Sequence, residues 1–314
     1  MLAVTAAGRA AAPTTRPSLK LATWNLEWLI SPEVFQELRT TCTASGARVQ
    51  GEERRIPCDV AGRLERSARD FAALARYARR LDADVIALQE VDGEAAAHRV
   101  FPDYDFCFTA RRHVQNTGFA IRHGLRHRCG ADLRALSLGD SVRRGAELIL
   151  FPGEPREIRL LAVHLKSGCG RRLLDDPKRD CAVLARQAGA LERWIDDQAL
   201  AGRRFAVLGD FNRDLLHDQG PARSATGRLQ RLWPEIDDGD PPGADLVNAA
   251  EGQDFRNCAP YQAHRGYIDS IVLGRTLGTR VIPGSFERLT YRADEARHLR
   301  LSDHCPVSVR VWLD

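Results

Sequence analysis

Acidic, amide and histidine side chains flank short apolar runs at several places in this sequence. The clearest run, residues 205–208, leads into Asp210 and Asn212. Four further groups of this kind lie far apart along the chain: Asn25 with Glu27, Gln89 with Glu90, His164 with Lys166, and Asp303 with His304. An apolar run bounded by polar residues is typical of a buried strand, and α/β sheets usually bind ligands at strand ends. The pattern therefore predicts that strand ends far apart in sequence come together to form one catalytic site.

The donor types in this set indicate which metal they would suit. Carboxylate and amide oxygens predominate, and oxygen-only sites suit Mg²⁺, Mn²⁺ or Ca²⁺, whereas zinc favours thiolates and several histidines. His164 and His304 are then interpreted as proton-transfer groups. Any single Asp or Asn behind a strand is often only a turn former, and a lone histidine is often just a satisfied polar residue. Glu90 is harder to explain in that way, because a carboxylate directly behind an apolar run is costly to bury without a cation.

Two stretches with helical spacing connect pairs of these runs. Residues 64–81 place apolar side chains on one face and arginines on the other, and run 85–88 follows them. Residues 181–199 repeat the arrangement between runs 158–163 and 205–208. Strand, helix and strand in this order form a crossover unit within one sheet. The sequence therefore predicts an α/β protein with two such units.

The other segments carry weaker patterns. Residues 31–61 are polar and show no periodicity, which predicts a surface insertion. The middle third of the chain is interpreted as a meander of short strands separated by turns. Its runs are 118–122, 147–151 and 158–163.

Acid, amide and histidine residues flank apolar runs in both the first and the last part of the chain, which predicts one domain. We expect residues 18–314 to form a single catalytic domain, and residues 1–17, rich in alanine and threonine, to be a leader remnant or a disordered tail. The apolar stretch in that segment is too short for a complete signal peptide. No run of apolar residues is long enough to span a membrane.

Charge and cysteine usage bear on the partners and the compartment. The formal charge of +4 arises from 46 basic against 42 acidic residues, which is a mild bias towards anionic partners. The eight cysteines include no Cys-x-x-Cys pair, so a zinc ribbon is not indicated. Their even number predicts at least two disulfides, with Cys169–Cys181 the favoured pair, and an oxidising compartment; eight separate buried thiols are the alternative.

The motifs, taken together, resemble those of the endonuclease/exonuclease/phosphatase superfamily, which includes DNase I-like nucleases, abasic-site endonucleases, sphingomyelinases and inositol-phosphate phosphatases. Six motifs occur in the family's order and cover the chain from about Leu19 to its end. They are Trp24-Asn25-Leu26-Glu27, Leu88-Gln89-Glu90-Val91, His164-Leu165-Lys166-Ser167, Gly209-Asp210-Phe211-Asn212, Tyr267-Ile268-Asp269 and Ser302-Asp303-His304.

The resemblance implies a four-layer α/β/β/α sandwich, two packed mixed β-sheets flanked by helices, and Mg²⁺-dependent hydrolysis of a phosphate ester. It implies metal ligation by Glu90 with Asn25, Asp303 and Glu27. It also implies that His304 is the general base, oriented by Asp269. Further implied roles belong to residues that hold water or phosphate: Asp210, Asn212, His164, Lys166 and Arg144.

The substrate is left open by the motifs. A secreted or periplasmic monomeric nuclease acting on DNA or RNA is the leading interpretation, because mild basicity and the expected disulfides suit an enzyme outside the cytoplasm. A sphingomyelinase-like phospholipid phosphodiesterase is the alternative, although no apolar hairpin for a bilayer is evident. An inositol-phosphate phosphatase comes third, and abasic-site repair is least favoured. A catalytically inactive binding domain is disfavoured because every acid and histidine of the motifs is present.

Overall fold

The computed structural model describes residues 16–45, 65–111, 113–259 and 266–314. Within these ranges the strands form two sheets of six strands each. The first sheet contains, in spatial order, β11 (Glu287–Arg288), β12 (Val307–Trp312), β1 (Ser18–Leu29), β2 (Val85–Val91), β4 (Asn116–Arg122) and β3 (Tyr104–Phe108). The second contains β5 (His127–Cys129), β6 (Ala146–Leu150), β7 (Ile158–His164), β8 (Arg204–Asp210), β10 (Asp269–Gly274) and β9 (Leu246–Asn248).

Helices cover the outer faces and the connections of these sheets. The α-helices are α1 (Pro32–Ser45), α2 (Ala68–Leu81), α3 (Glu94–His98), α4 (Arg179–Leu200), α5 (Trp233–Ile236), α6 (Arg275–Gly278) and α7 (Ala293–His298). Short 3₁₀ turns occupy Arg134–Ser137 and Leu215–His217. No helix among the described residues is both long and apolar enough to cross a membrane.

Side-chain alternation along the strands explains the four layers. In β1, Leu19 and Leu21 point between the two sheets, whereas Trp24 on the opposite face packs with α2. In β8, Leu208 lies between the sheets and Val207 packs with α4. Both faces of the central strands are therefore buried, which is why they read as continuous apolar runs. The predicted four-layer α/β/β/α sandwich is confirmed.

The two predicted crossover units are present. β1 pairs in parallel with β2, and β7 pairs in parallel with β8, while the other pairs are antiparallel. α2 begins at a capping box in which Ser67 and Asp70 satisfy each other's backbone N–H groups. The parallel pairs place the carboxyl ends of β1 and β2 at one edge, and those of β7 and β8 likewise. These edges carry the polar residues singled out in the sequence.

The polar stretch 31–61 is predicted to be a surface insertion without periodicity; its first part is helix α1, which buries Phe35 in a small cluster with Ile30 and Val114, and residues 46–61 lie outside the described ranges. One local prediction is wrong. The middle strands are predicted to form one meander, but β4 lies in the first sheet whereas β6 and β7 lie in the second. Local pattern could not assign these strands to a sheet, because the partners come from distant parts of the chain. The predicted leader, residues 1–17, lies almost wholly outside the described residues, and the single-domain assignment stays a prediction.

Disulfides fasten the sandwich at three described places. Cys107–Cys129 joins edge strands of the two sheets, β3 and β5. Cys169–Cys181 closes the loop between β7 and α4, as expected. Cys258–Cys305 ties a loop to the residue that follows His304. The prediction of at least two disulfides is confirmed, and Cys42 is disulfide-bonded as well.

Gly209 offers a test of how tightly β7 and β8 are packed. Its φ is +155°, and a Cβ atom added there would lie 2.0 Å from the carbonyl oxygen of Val163. We expect Gly209→Ala to lower the free energy of unfolding by roughly 2 kcal/mol or more, because neither backbone can move aside in a packed sheet. Urea denaturation would measure the loss.

Gly189 in α4 provides the matched control. The nearest atom to an added Cβ there is Arg193 Nη1, at 3.6 Å. Gly189→Ala should stabilise the protein by up to about 1 kcal/mol through helix propensity. Equal midpoints for the two variants would contradict the close approach at Gly209.

Candidate active site

The site lies where the ends of β1 and β2 in one sheet meet the ends of β7, β8 and β10 in the other. β1 and β2 are both irregular there, since their register shifts after Asn25 and after Leu88. Glu27 and Glu90 sit in these irregular segments with φ values of 45° and 59°. Left-handed backbone is strained for such residues, and it turns their side chains out of the normal alternation. The strained backbone therefore helps to direct the carboxylates of Glu27 and Glu90 into the site.

Asn25 connects the two sheets at the centre of the site. Its side-chain amide donates to Asp210 Oδ2 at 3.0 Å and lies 3.5 Å from Glu90 Oε1. Its own side-chain oxygen accepts from the backbone N–H of Glu27 at 3.0 Å. Glu90 also accepts from the backbone N–H of Trp28 at 3.2 Å. Asn25 is thus fixed by three neighbours and holds two acids from different sheets close together.

His304 forms a close pair with Asp269. Its Nδ1 lies 2.8 Å from Asp269 Oδ2, while its Nε2 lies 4.0 Å from Asp210 Oδ2 and 3.8 Å from Asp303 Oδ1. Burial opposes the charged imidazolium, but the charge and hydrogen bond of Asp269, aided by Asp210 and Asp303, outweigh it and raise the pKa of His304 well above its usual value. The pair leaves Nε2 directed towards the acidic cluster.

The backbone around His304 is held separately from its ring. Ser302 donates its hydroxyl to the carbonyl of Asn25 at 2.7 Å, and its oxygen accepts from the N–H of His304 at 3.0 Å. Tyr291 donates to the carbonyl of His304 at 2.7 Å, and accepts from the indole N–H of Trp24 at 3.0 Å. These buried contacts fix His304 to β1, so that its ring cannot drift away from Asn25.

His164 has the opposite electrostatic character. Burial, together with the positive charges of Arg143 and His304, holds the pKa of His164 well below its usual value, so its imidazole is neutral. Its Nε2 lies 3.4 Å from Asp210 Oδ2 and 3.6 Å from Glu90 Oε1. Its buried Nδ1 has no hydrogen-bond partner among the described residues. The pKa values of the two histidines, His164 and His304, are therefore shifted in opposite directions.

Glu27 and Asp303 form the more open side of the site. Glu27 accepts from the backbone N–H of Asp303 at 3.0 Å. Burial and the charge of Asp303 raise the pKa of Glu27 to about 7. The buried Arg66 donates to the carbonyl oxygens of Leu26 at 2.9 Å and Trp28 at 3.0 Å, on either side of Glu27. Arg66 therefore anchors this turn, a role that no sequence pattern indicates.

Lys166 and Asn212 are placed at the rim. Asn212 donates from its side chain to the carbonyl of Leu165 at 3.1 Å and to Asp210 Oδ2 at 3.2 Å. The ammonium of Lys166 lies 2.8 Å from Asp180 Oδ1. Asn212 is thus part of the acidic cluster, whereas Lys166 is engaged with α4.

Arg144 and its neighbour Arg143 are oriented differently. Arg144 is buried in ion pairs with Asp132 at 2.9 Å and Asp140 at 2.7 Å. Arg143 instead donates to the carbonyl oxygens of His164 at 3.2 Å and Leu165 at 2.7 Å. Burial lowers the pKa of Arg143, and the charges of Glu90 and Asp210 oppose that shift. The arginine that faces the acids is therefore Arg143, which belongs to none of the six motifs.

The arrangement fits a divalent cation. Burial, reinforced by Asp269, raises the pKa of Asp210 to about 7, although His304 opposes the shift. Carboxylate oxygens of Glu90 and Asp210 both lie within 3.5 Å of the side-chain nitrogen of Asn25, and ligand atoms of Asp210, Asp269 and His304 lie within 4.8 Å of one another. Several acids forced together without enough basic partners are the usual setting of a hard cation. Oxygen donors of this kind suit a hard divalent cation, and the ligand set of Glu90, Asn25, Asp303 and Glu27 stays a prediction.

Comparison with known proteins defines the class. The model of the Endonuclease/Exonuclease/phosphatase family matches residues 22–304, so the chain belongs to that family. This match spans the six motifs and all described strands except β12 and the first four residues of β1. No curated protein sequence matches the chain.

Solved structures of similar fold agree with this assignment. Truncated TDP2 from Caenorhabditis elegans is 14% identical, with a TM-score of 0.57 and coverage of 94% of this chain and 98% of that one. An AP endonuclease from Archaeoglobus fulgidus is 13% identical, with a TM-score of 0.56 and coverage of 93% and 98%. The 3'-5' exonuclease NExo from Neisseria meningitidis is 17% identical, with a TM-score of 0.52 and the same coverage. At these identities the likeness concerns the fold.

Metal binding can be tested without any activity assay. Mg²⁺ or Mn²⁺ should raise the melting temperature of the protein, since a cation that binds only the folded chain stabilises it by about 2.7 kcal/mol at a hundredfold excess over Kd. Glu90→Ala should abolish the shift, because it removes an oxygen donor from the cluster. Differential scanning fluorimetry with and without EDTA measures both effects.

The matched control is Glu251→Ala, which removes an exposed acid from a turn outside the site. This variant should keep the full metal-induced shift. A shift that persists in Glu90→Ala would show that the cation binds elsewhere.

Proposed function

We propose that the protein is a metal-dependent phosphodiesterase that hydrolyses nucleic acid in an oxidising compartment outside the cytoplasm. The observation that carries the proposal is the joining of Asn25, Glu90, Asp210 and the His304–Asp269 pair in one buried cluster across the two sheets. Hydrolysis of a phosphodiester needs charge neutralised on the phosphoryl oxygens and a positioned nucleophile, and this cluster supplies groups for both.

Glu90 is the proposed main metal ligand, with Asn25, Glu27 and Asp303 as further candidates. When bound, the divalent cation would supply positive charge for the phosphoryl oxygens and offset the acidic charge around His304. Mg²⁺ is the favoured ion, with Mn²⁺ or Ca²⁺ as alternatives, since all three prefer oxygen donors. The raised pKa of Glu27 supports this assignment, because a nearby cation would relieve the repulsion from Asp303.

His304 is the proposed general base. Asp269 binds its Nδ1 at 2.8 Å, which fixes the ring orientation and would stabilise the imidazolium that forms when Nε2 takes a proton from water. Asp210 and Asn212 are proposed to orient that water or the phosphate. The direct contact between their side chains, at 3.2 Å, supports a shared role.

His164 and Arg143 are proposed to face the phosphate. A neutral His164 can donate one hydrogen bond to a phosphoryl oxygen or give a proton to the leaving group. Arg143 lies beside the same acids and carries a planar fork of donors that suits phosphate oxygens. Arg144, for which the motif resemblance implies this role, is occupied by Asp132 and Asp140. The proposal therefore moves the phosphate contact from Arg144 to Arg143.

Nucleic acid is the favoured substrate over lipid. The chain has a mild positive charge of +4, which favours a polyanion. Among the described residues, the only large apolar side chains that are exposed are Leu173 and Leu200, which do not form a patch suited to a bilayer. The disulfides support an oxidising compartment. A sphingomyelinase-like enzyme and an inositol-phosphate phosphatase are the competing candidates.

A side-by-side assay tests the substrate class. We expect Mg²⁺-dependent cleavage of plasmid and single-stranded DNA, little action on sphingomyelin vesicles or inositol phosphates, and loss of cleavage in EDTA. Binding of DNA should weaken steeply with salt, by a power of roughly 0.7 to 0.9 per phosphate contacted, because counterions are released. Gel electrophoresis and phosphate release at two salt concentrations give the readout. If the protein hydrolysed lipid and left DNA intact, it would be a phospholipid phosphodiesterase that uses the same catalytic residues.

The two adjacent arginines give a charge-matched test of the phosphate contact. Arg143→Ala should lower kcat/KM for DNA by about 10- to 100-fold, the range for removing a charged hydrogen bond from a catalytic site. Arg144→Ala should affect kcat/KM much less but reduce thermal stability, because it leaves Asp132 without its buried partner. Steady-state kinetics and melting curves of both variants distinguish these effects. If Arg144→Ala lowered kcat/KM more than Arg143→Ala, the phosphate contact would be assigned to Arg144.

A further inference from the structure

A cavity lies directly beside the proposed catalytic centre. It has a volume of about 340 Å³. The residues that line it come from the loop closed by Cys169–Cys181 and from the segment after Asn212: Gly170, Arg171, Arg213, Asp214, His217, Asp218 and Arg231. This volume is at the lower end of that of small-ligand sites, about 300 to 1,000 Å³.

Two close contacts fix the cavity next to the catalytic residues. A Cβ atom on Gly170 would lie 3.2 Å from the carbonyl oxygen of Asn212, so the loop backbone rests on the Asn212 segment. A Cβ on Gly266 would lie 1.7 Å from Asp214 Oδ2, so the chain that leads into Asp269 packs against the cavity wall. The cavity wall is therefore continuous with the backbone of Asn212 and with the chain that leads into Asp269.

Arg213 and Asp218 form a closed pair in the cavity floor. Arg213 donates to both carboxylate oxygens of Asp218, at 2.6 and 2.7 Å, and to the carbonyl oxygens of Cys169 and Arg172. Asp218 also accepts from the backbone N–H groups of Leu232 and Trp233. Both side chains are buried, and their charges and hydrogen bonds are satisfied by the protein itself. They shape the cavity but leave no group for a ligand.

Three arginines against two carboxylates give the cavity a net positive charge. His217 lies 2.7 Å from Asp214 Oδ2, while the buried Oδ1 of Asp214 accepts no hydrogen bond from the described residues. Arg231 approaches Asp218 at 3.6 Å, which is longer than a hydrogen bond. Arg171 is exposed and makes no ion pair with any residue in the described part of the chain. Arg171 and Arg231 therefore offer donors to an anion.

We propose that this cavity is a subsite for a phosphate that neighbours the one being cleaved, held by Arg171 and Arg231. The inference rests on the proposed function, because it assigns the position of a second substrate phosphate. Phosphate groups recur along a nucleic-acid strand, whereas a single head group has no second phosphodiester to place there. The disulfide at Cys169 limits the freedom of the loop that carries Arg171, which reduces the entropy cost of binding.

The test compares two substrates of Mg²⁺-loaded protein, a short fluorescein-labelled single-stranded DNA and bis(p-nitrophenyl) phosphate, which has one phosphodiester. We expect Arg171→Ala to reduce the ratio of kcat/KM for DNA to that for the small diester by about 5- to 20-fold, through KM, as expected for one charged contact. The double variant with Arg231→Ala should reduce the ratio further, and it should lower the salt slope by roughly one for each phosphate that is no longer bound. Arg171→Lys, which keeps the charge, should recover most of the ratio.

Arg79→Ala is the matched control, since Arg79 is an exposed arginine at the end of α2 on the other outer layer. It should change the ratio by less than about twofold, because distant surface charges are screened. If wild type cleaves both substrates but Arg171→Ala and the double variant behave like Arg79→Ala, the subsite is wrong and the proposed function stands. If wild type cleaves the small diester but not DNA, the nucleic-acid substrate and the subsite are both overturned. If it cleaves neither, the proposed function itself fails.

Discussion

The enclosure of many carboxylates in a small, poorly hydrated space is the constraint on which this structure depends. Asp210 and Asp269 are almost fully buried, and Glu90, Glu27 and Asp303 lie around them. Charges brought so close repel one another unless amides, histidines and cations intervene. Asn25, His304 and Arg143 do part of this within the chain. We propose that a bound cation supplies the remainder. Burial of these acids, reinforced by repulsion between neighbouring carboxylates, raises the pKa values of Asp210 and Glu27 to about 7.

Both sheets are needed to create that imbalance. Asn25 and Glu90 come from the first sheet, and Asp210 and His164 come from the second, so no half of the chain contains the cluster. The apolar contacts between the sheets thus set the distances between the acids. The Cys107–Cys129 disulfide joins the sheets at one edge, and Cys258–Cys305 holds the residue next to His304. Covalent ties of this kind restrict the separations on which the electrostatics depend.

The sequence predicted those parts of the structure that local chemistry determines. Crossover units follow from helical periodicity between apolar runs, and the polar strand ends could be located because each lies beside its own run. Cys169 and Cys181 could be paired because they bracket one loop. Cys107 and Cys129 could not, because eight cysteines allow 105 pairings and this bond depends on how two edge strands meet.

Local sequence pattern also did not indicate the direction in which individual side chains point. Arg143 and Arg144 are adjacent in the irregular segment that leads into β6, so no strand alternation predicts which of them turns towards the acids. Their orientation depends on distant partners, since Arg143 donates to the carbonyl oxygens of His164 and Leu165 whereas Arg144 pairs with Asp132. Helix α1 was missed for a related reason, since Phe35 is buried against Ile30 and the distant Val114. The contact, and not the local periodicity, identifies its apolar face.

The left-handed backbone at Glu27, Trp28, Glu90 and Asn212 has a consequence for protein engineering. Asparagine tolerates this conformation, but at the other three positions it costs conformational energy. A stability screen of this chain would therefore be expected to reward glycine at Glu27 and Glu90, because glycine removes the backbone strain, but not at Trp28, which packs against Ile30, Phe35 and Val114. At Glu27 and Glu90 the same exchange would delete an acidic side chain from the site. Selection for thermal resistance alone would thus remove acidic side chains from the candidate active site, and a screen should keep Glu27 and Glu90 unchanged.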